Sequence, residues 1–388
     1  MKAERDIPVN FNTVRSRMRS VGLTEDLIAR RLKINPNRVT DWFTGRRLPT
    51  LAQAERLAKL LRLPYPLLLL RDPPSFELPI PDLRFRRPRP SQVSLNLFEA
   101  VSDAVYKSAW YASVLDEEAA KGPSIPRALG RDVRSIANAV REALNVETLR
   151  KQARDHADFL KKLSDRAQDL GVIVMRGSTL GLNTKQKLDP EEFRGFSIDD
   201  PFAPVIFVNS RDHPAAQVFT FIHEFVHTVL REPGISDLPF LSPRPTEIPA
   251  PPDRERVCNE AAAEVLAPAD QLRQLLVRQW DLETFHRVSR SLKVSVSVLI
   301  IRSGELGLLS RDKVRDLLAL LREKRAERPT REAKVPLLAR VSAWNSRLVT
   351  QTAIERVLTG KETYSSAAHL LRMSLSSFVR MLDKLEAR

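Results

Sequence analysis

Val218-Phe-Thr-Phe-Ile-His-Glu-Phe-Val-His-Thr-Val-Leu230 is the stretch on which the reading of this chain turns. Apolar residues recur in it so densely that it reads as a buried helix, with Phe219, Ile222, Phe225, Val226, Val229 and Leu230 turned into a core. Within it His223, Glu224 and His227 spell H-E-x-x-H. Residues four apart share one face of a helix. Both imidazoles can therefore reach one metal ion, with the Glu224 carboxylate beside them as a general base. The competing account is a core helix whose histidines are simply hydrogen-bonded, since buried polar groups find partners whatever their role.

Upstream, residues 172–176, 193–198 and 204–209 are β-branched or alternating runs, read as three short strands. They predict a small mixed sheet packed on the metal helix, with one edge beside the metal where an extended peptide can add by backbone pairing. Catalytic zinc usually takes three protein ligands and keeps a fourth position open. No histidine follows between residues 228 and 234, so the third ligand is sought on the helix expected over residues 253–266, beyond a Pro-rich loop at 243–252. Glu255 and Asn259 share a face there, one to bind metal and the other to orient a ligand histidine. Glu260 and Glu264 are alternatives on another face. His213, just before the motif helix, reads as a surface-loop residue in preference to an oxyanion donor.

Val218-Phe-Thr-Phe-Ile-His-Glu-Phe-Val-His, followed by Glu255-Arg-Val-Cys-Asn-Glu-Ala-Ala-Ala-Glu-Val-Leu-Ala-Pro268, resembles the ImmA/IrrE metallopeptidase family. The resemblance implies Glu255 as the third zinc ligand, with Asn259 and Pro268 on the family's Asn and Pro. The departures are Val218 for Arg, Cys258 for Ala, Ala261 for Phe, Val265 for Leu and Ala267 for Met. All of them alter packing and none alters a ligand.

The first seventy residues carry a different signal. Thr24 reads as the N-cap of a helix running to Leu32, with Leu27, Ile28 and Leu32 inward. A turn at 33–36 follows, and Asn35-Pro36 opens a second helix that ends at Thr44 before Gly45. Val39 and Trp42 face inward, leaving Asn37, Arg38, Asp41 and Thr44 to meet base edges, with Arg46 and Arg47 just beyond. The segment resembles the Cro/repressor-type (XRE) helix-turn-helix, with one departure: Lys33 stands where glycine is usual and must tolerate a strained or left-handed conformation. Eleven Lys/Arg against five acidic residues in the first fifty favour a polyanion.

The 388 residues carry a net charge of +15, which points to nucleic acid as a partner. The single cysteine, Cys258, excludes an intramolecular disulfide and suits a reducing compartment. No apolar run is long enough to span a bilayer and none follows the N-terminus, so the reading is cytoplasmic with no membrane partner. The expected fold is α+β and predominantly helical. It comprises a five-helix helix-turn-helix bundle over 1–71, a Pro/Arg-rich linker over 72–94, a zincin-like domain with a helical prelude over 95–270, and a helical region over 271–388. In the last, residues 293–304 suggest a helix-turn-helix-like pair. Residues 366–378 have the same periodicity, read as helical support or a dimer interface ahead of a second DNA contact. Together with the resemblance, these features imply an endopeptidase using Zn2+, or Mn2+, that binds double-stranded DNA and cleaves a helix-turn-helix repressor to control stress-response or mobile-element genes. The rival reading is a regulator or antitoxin whose peptidase-like domain senses without cutting. A homodimer is compatible with either.

Overall fold

Capping residues set the boundaries of the N-terminal helices: Phe11–Val21 (α1), Glu25–Leu32 (α2), Pro36–Thr44 (α3) and Leu51–Leu61 (α4). The side chains of Asn10, Thr24, Asn35 and Thr50 each accept a first-turn N–H. The fifth element, Tyr65–Leu69, is a 3₁₀ turn; prolines at 64 and 66 deprive an α-helix there of N–H donors. Val39, Trp42, Ala54, Leu57 and Leu61 are essentially inaccessible and form the core of this bundle. Lys33 is left-handed, with φ 56° and ψ 50°, one of the two conformations expected of it. Leu27 corrects the expectation: it is 38% exposed, and the inner face of α2 is Ile28, Ala29 and Leu32. Successive residues lie 100° apart on a helix, so a neighbour of inward Ile28 falls on the rim.

The computed structural model describes residues 6–71, 94–127, 130, 132–231, 234–236, 253–275, 280–326 and 336–386. The expected linker, apart from Ser94, and the Pro-rich loop at 243–252 lie outside the described residues. Of the described residues, those up to 102 form one unit and those from 103 onward another. Leu95–Glu117 (α5) contributes to both.

In the second unit Val133–Ala143 (α6), Val146–Gln152 (α7) and His156–Asp169 (α8) lead into Ile173–Gly177 (β1), Gly195–Ile198 (β2) and Val205–Asn209 (β3). A fourth strand, Gly234–Ser236 (β4), was not anticipated; three residues show no alternation to read. The sheet order is β1-β3-β2-β4, parallel between β1 and β3 and antiparallel elsewhere. Pro214–Leu230 (α9) packs on β2 and β3, and Asp253–Leu266 (α10) packs on α9 and α6. The remaining helices are Ala269–Leu275 (α11), Leu282–Leu292 (α12), Val296–Glu305 (α13), Arg311–Ala326 (α14), Leu337–Asn345 (α15), Arg347–Leu358 (α16), Tyr364–Leu370 (α17) and Leu375–Glu386 (α18). The result is α+β and predominantly helical. No helix among the described residues is long and apolar enough to cross a membrane.

Candidate metal centre

Pro214 at the first turn and the His213 side chain, whose Nδ1 accepts the Ala215 N–H at 3.3 Å, start α9. His213 is thus a cap on an exposed corner. From Ala215 to Val229 every residue of α9 is buried, so the helix is held on all sides and its polar side chains are screened from bulk solvent. The imidazoles of His223 and His227 meet with Nε2 atoms 3.0 Å apart.

α10 brings the third group. Glu255, 2% exposed, sets one carboxylate oxygen 3.4 Å from His223 Nε2 and the other 3.1 Å from His227 Nε2. Ligand atoms of the three residues all lie within 4.8 Å of one another. Of the carboxylates considered for this place, Glu264 is engaged elsewhere, in an ion pair with Arg302 and as acceptor of the Ala269 N–H. Glu260 lies outside the cluster. The buried Arg150 of α7 donates to Leu266 O at 2.9 Å and so ties down the far end of α10.

Two imidazole nitrogens and a carboxylate converging on one point, all shut from solvent, suit a divalent cation. Protons alone serve such a cluster poorly, because charge must then be carried in a dry site. The electrostatics record that tension. Burial pushes His223 below the usual imidazole range, while Glu255 and Asn259 oppose it. Burial also opposes charge on His227, yet Cys258 and Glu255 outweigh it and hold that imidazole well above its usual value. Glu255 is raised by burial but held far below the carboxylate range by the two histidines.

Two contacts shape the site that its motif did not reveal. The Cys258 Sγ lies 3.6 Å from His227 Nδ1, the nitrogen turned away from the cluster. A Cβ at Gly195 would stand 2.9 Å from Glu224 Oε1, 2.7 Å from Thr220 Cγ2 and 2.9 Å from Phe207 O. The bare backbone of β2 therefore lies directly on the Glu224 carboxylate. A glycine inside the alternating run at 193–198 was the available sign of such an approach. Asn259, 3% exposed, is buried on the Glu255 helix and faces His223.

Of the residues singled out at the N-terminus, Asn37, Arg38, Thr44, Arg46 and Arg47 are exposed on α3 and the turn after it. Asp41 is half-buried, its carboxylate 3.8 Å from Arg46 Nη1, and its carbonyl accepts the N–H groups of Arg46 and Arg47. That turn is closed by Gly45 at φ 74°.

Residues 167–303 match the family described as the IrrE N-terminal-like domain, and residues 14–68 match the helix-turn-helix family. The first span contains the whole His223–Glu224–His227–Glu255 constellation, and the second contains α2 and α3. The chain thus carries an N-terminal helix-turn-helix domain of the DNA-binding XRE type and an IrrE/ImmA-like domain of metallopeptidase type. No curated protein and no solved structure matches it.

Proposed function

We propose that the protein is a zinc-dependent endopeptidase of the cytoplasm, carried on DNA by its N-terminal domain, whose substrate is a helix-turn-helix repressor or related regulator. The observation that carries this reading is the convergence of His223, His227 and Glu255 on one buried point, with Glu224 next to them in sequence. His223, His227 and Glu255 would hold the ion; Mn2+ suits the same donors less well than Zn2+, which favours imidazole. Bound there, a divalent cation supplies Lewis acidity toward a carbonyl and toward water.

The chain's own residues supply the remainder. Glu224 takes the proton from attacking water and returns it to the leaving amine. Asn259 orients His223, and Cys258 accepts from His227 Nδ1–H, so that both Nε2 atoms stay turned to the ion. β4 ends the described sheet next to β2, whose Gly195 lies against Glu224, and an extended peptide would add by backbone pairing along that edge. At the other unit, Asn37, Arg38, Asp41 and Thr44 face the bases, while Arg46 and Arg47 neutralise phosphates.

The test is incubation of the wild-type and Glu224→Gln proteins, each supplied with Zn2+, with the repressor encoded beside the gene. Cleavage is expected from the wild type alone, with equal zinc content in both proteins by elemental analysis. Cleavage by Glu224→Gln would refute the assignment. A wild type that binds metal and never cuts would make the domain a sensor.

A further inference from the structure

The geometry of the N-terminal helix-turn-helix is written a second time near the C-terminus, outside both family matches. In α2–α3, Thr24 caps the first helix, Ala29 is the buried small residue, Lys33 is the left-handed turn residue, and Asn35 caps the second helix. In α17–α18, at the same spacing throughout, Thr363 caps the first helix on Ser366 N–H, Ala368 is buried, Arg372 is left-handed at φ 52°, and Ser374 Oγ accepts the Ser377 N–H.

The turn is closed by the same backbone bonds. Ile34 N–H reaches Ala29 O at 3.0 Å, and Met373 N–H reaches Ala368 O at 2.9 Å. The inward side chains also correspond: Val39, Trp42 and Phe43 in one copy, Phe378, Met381 and Leu382 in the other, none above 7% exposed.

A third pair, α12–α13, shows what the repeat can otherwise become. Lys293 is left-handed, Ser295 is the cap, and Val294 N–H bonds Ser289 O. There, however, Val296 to Ile300 are all buried along with Arg302 and Ser303. That second helix is packed into the core of the metallopeptidase-type domain, which leaves few of its side chains exposed.

α18 keeps its outer face. Ser374, Ser376, Arg380 and Lys384 are exposed along it, joined by Leu375 and Val379. The Arg380 guanidinium is held over the first turn by Ser376 O at 3.2 Å and Ser377 Oγ at 3.4 Å. Hydroxyls at the start of a recognition helix, a guanidinium one turn on, and exposed apolar side chains able to contact thymine methyls are the chemistry of a major-groove reader. We propose that α17–α18 is a second double-stranded DNA site, with α18 in the major groove, Ser376 and Arg380 at bases or their phosphates, and Lys384 on the backbone. The inference rests on the DNA-binding reading of the N-terminal pair, whose geometry it copies.

The experiment uses the full chain, a fluorescein-labelled 40-bp mixed-sequence duplex as probe, and anisotropy across a KCl series. Arg380→Glu/Lys384→Glu is compared with Arg38→Glu/Arg47→Glu and with the fourfold variant. All four side chains are exposed, and circular dichroism melts check that folding is unchanged. The C-terminal pair is expected to weaken binding on the order of tenfold and to lower the log–log salt slope by about 2. Arg380→Lys should retain most of the affinity. The fourfold variant should bind more weakly than either double.

Loss with the C-terminal pair and none with the N-terminal pair sustains this site and removes the N-terminal reading. Unchanged affinity and slope on C-terminal substitution, in both backgrounds, overturns the proposal. So does a change in mass by light scattering with DNA binding intact, which would make the face a protein interface.

Discussion

At Gly195 the backbone of β2 lies close against Thr220 and Glu224 of α9, and this contact bears on both stability and chemistry. An added Cβ meets the carbonyl of Phe207, which cannot yield without disturbing the β2–β3 ladder, as well as the carboxylate of Glu224. Gly195→Ala should therefore cost about 1–3 kcal/mol in denaturant unfolding. If the proposed peptidase activity holds, it should also lower cleavage on the order of a hundredfold by displacing the Glu224 carboxylate, with metal content preserved. Wild-type unfolding and turnover in this variant would contradict the close approach. The meeting of His223 and His227 was legible because helical spacing alone puts them together. Glu255 was reached from a shared face and then narrowed by resemblance. Gly195 carried only the general sign of a glycine inside a strand, and Cys258 carried none that tied it to His227. Their roles depend on which strand crosses α9, and on which face α10 turns to His227, and neither register nor helix rotation is written in local pattern.

At the scale of elements, the helix-turn-helix boundaries were legible because caps and the left-handed turn are local chemistry. Leu27 was misplaced because being apolar does not specify which way a residue faces at the rim of a short helix. β4 escaped notice because its three residues owe their conformation to β2, their partner, and to nothing in their own sequence. The left-handed turn residues make a direct prediction. Lys33 carries a side chain at φ 56° where a left-handed L-residue costs about 1–2 kcal/mol, part of which glycine returns to the unfolded chain as entropy. Lys33→Gly should stabilise the N-terminal bundle by about 1 kcal/mol, slowing native-state hydrogen exchange at Ile34 and Val39 roughly fivefold. Exchange that is unchanged or faster would mean that the Lys33 side chain supplies something the turn needs.

At the scale of the molecule, a buried charge cluster joins parts of the chain far apart in sequence. Asp103 on α5 accepts from Trp344 Nε1 at 2.8 Å, from Arg372 Nε at 2.9 Å and from Lys107 Nζ at 2.5 Å, binding α5 to α15 and to the turn after α17. Trp344 also lies against Gly177 of β1, where a Cβ would clash with its ring, so the C-terminal helices are keyed to the sheet. The Asp103–Lys107 pair, four residues apart on α5, is local, but Trp344 and Arg372 join it only when the chain has folded. Lys107 is wholly inaccessible, and burial pushes its ammonium from the usual 10.5 down to about 8 against the pull of Asp103. The folded value lies below the unfolded one, so below pH 8 both states hold the proton and the cost of burying the charge is fully present. Between pH 8 and 10.5 the native chain releases the proton while the unfolded chain keeps it, and this residue's contribution to stability rises with pH. Relative to Lys107→Met, which leaves Asp103 its bonds to Trp344 and Arg372, the wild type should gain up to about 3 kcal/mol across that interval. Urea unfolding of both proteins at pH 7.5, 9 and 10.5 reads the difference. A constant gap between them would show that Lys107 stays charged in the folded protein, held by Asp103 more firmly than its burial opposes.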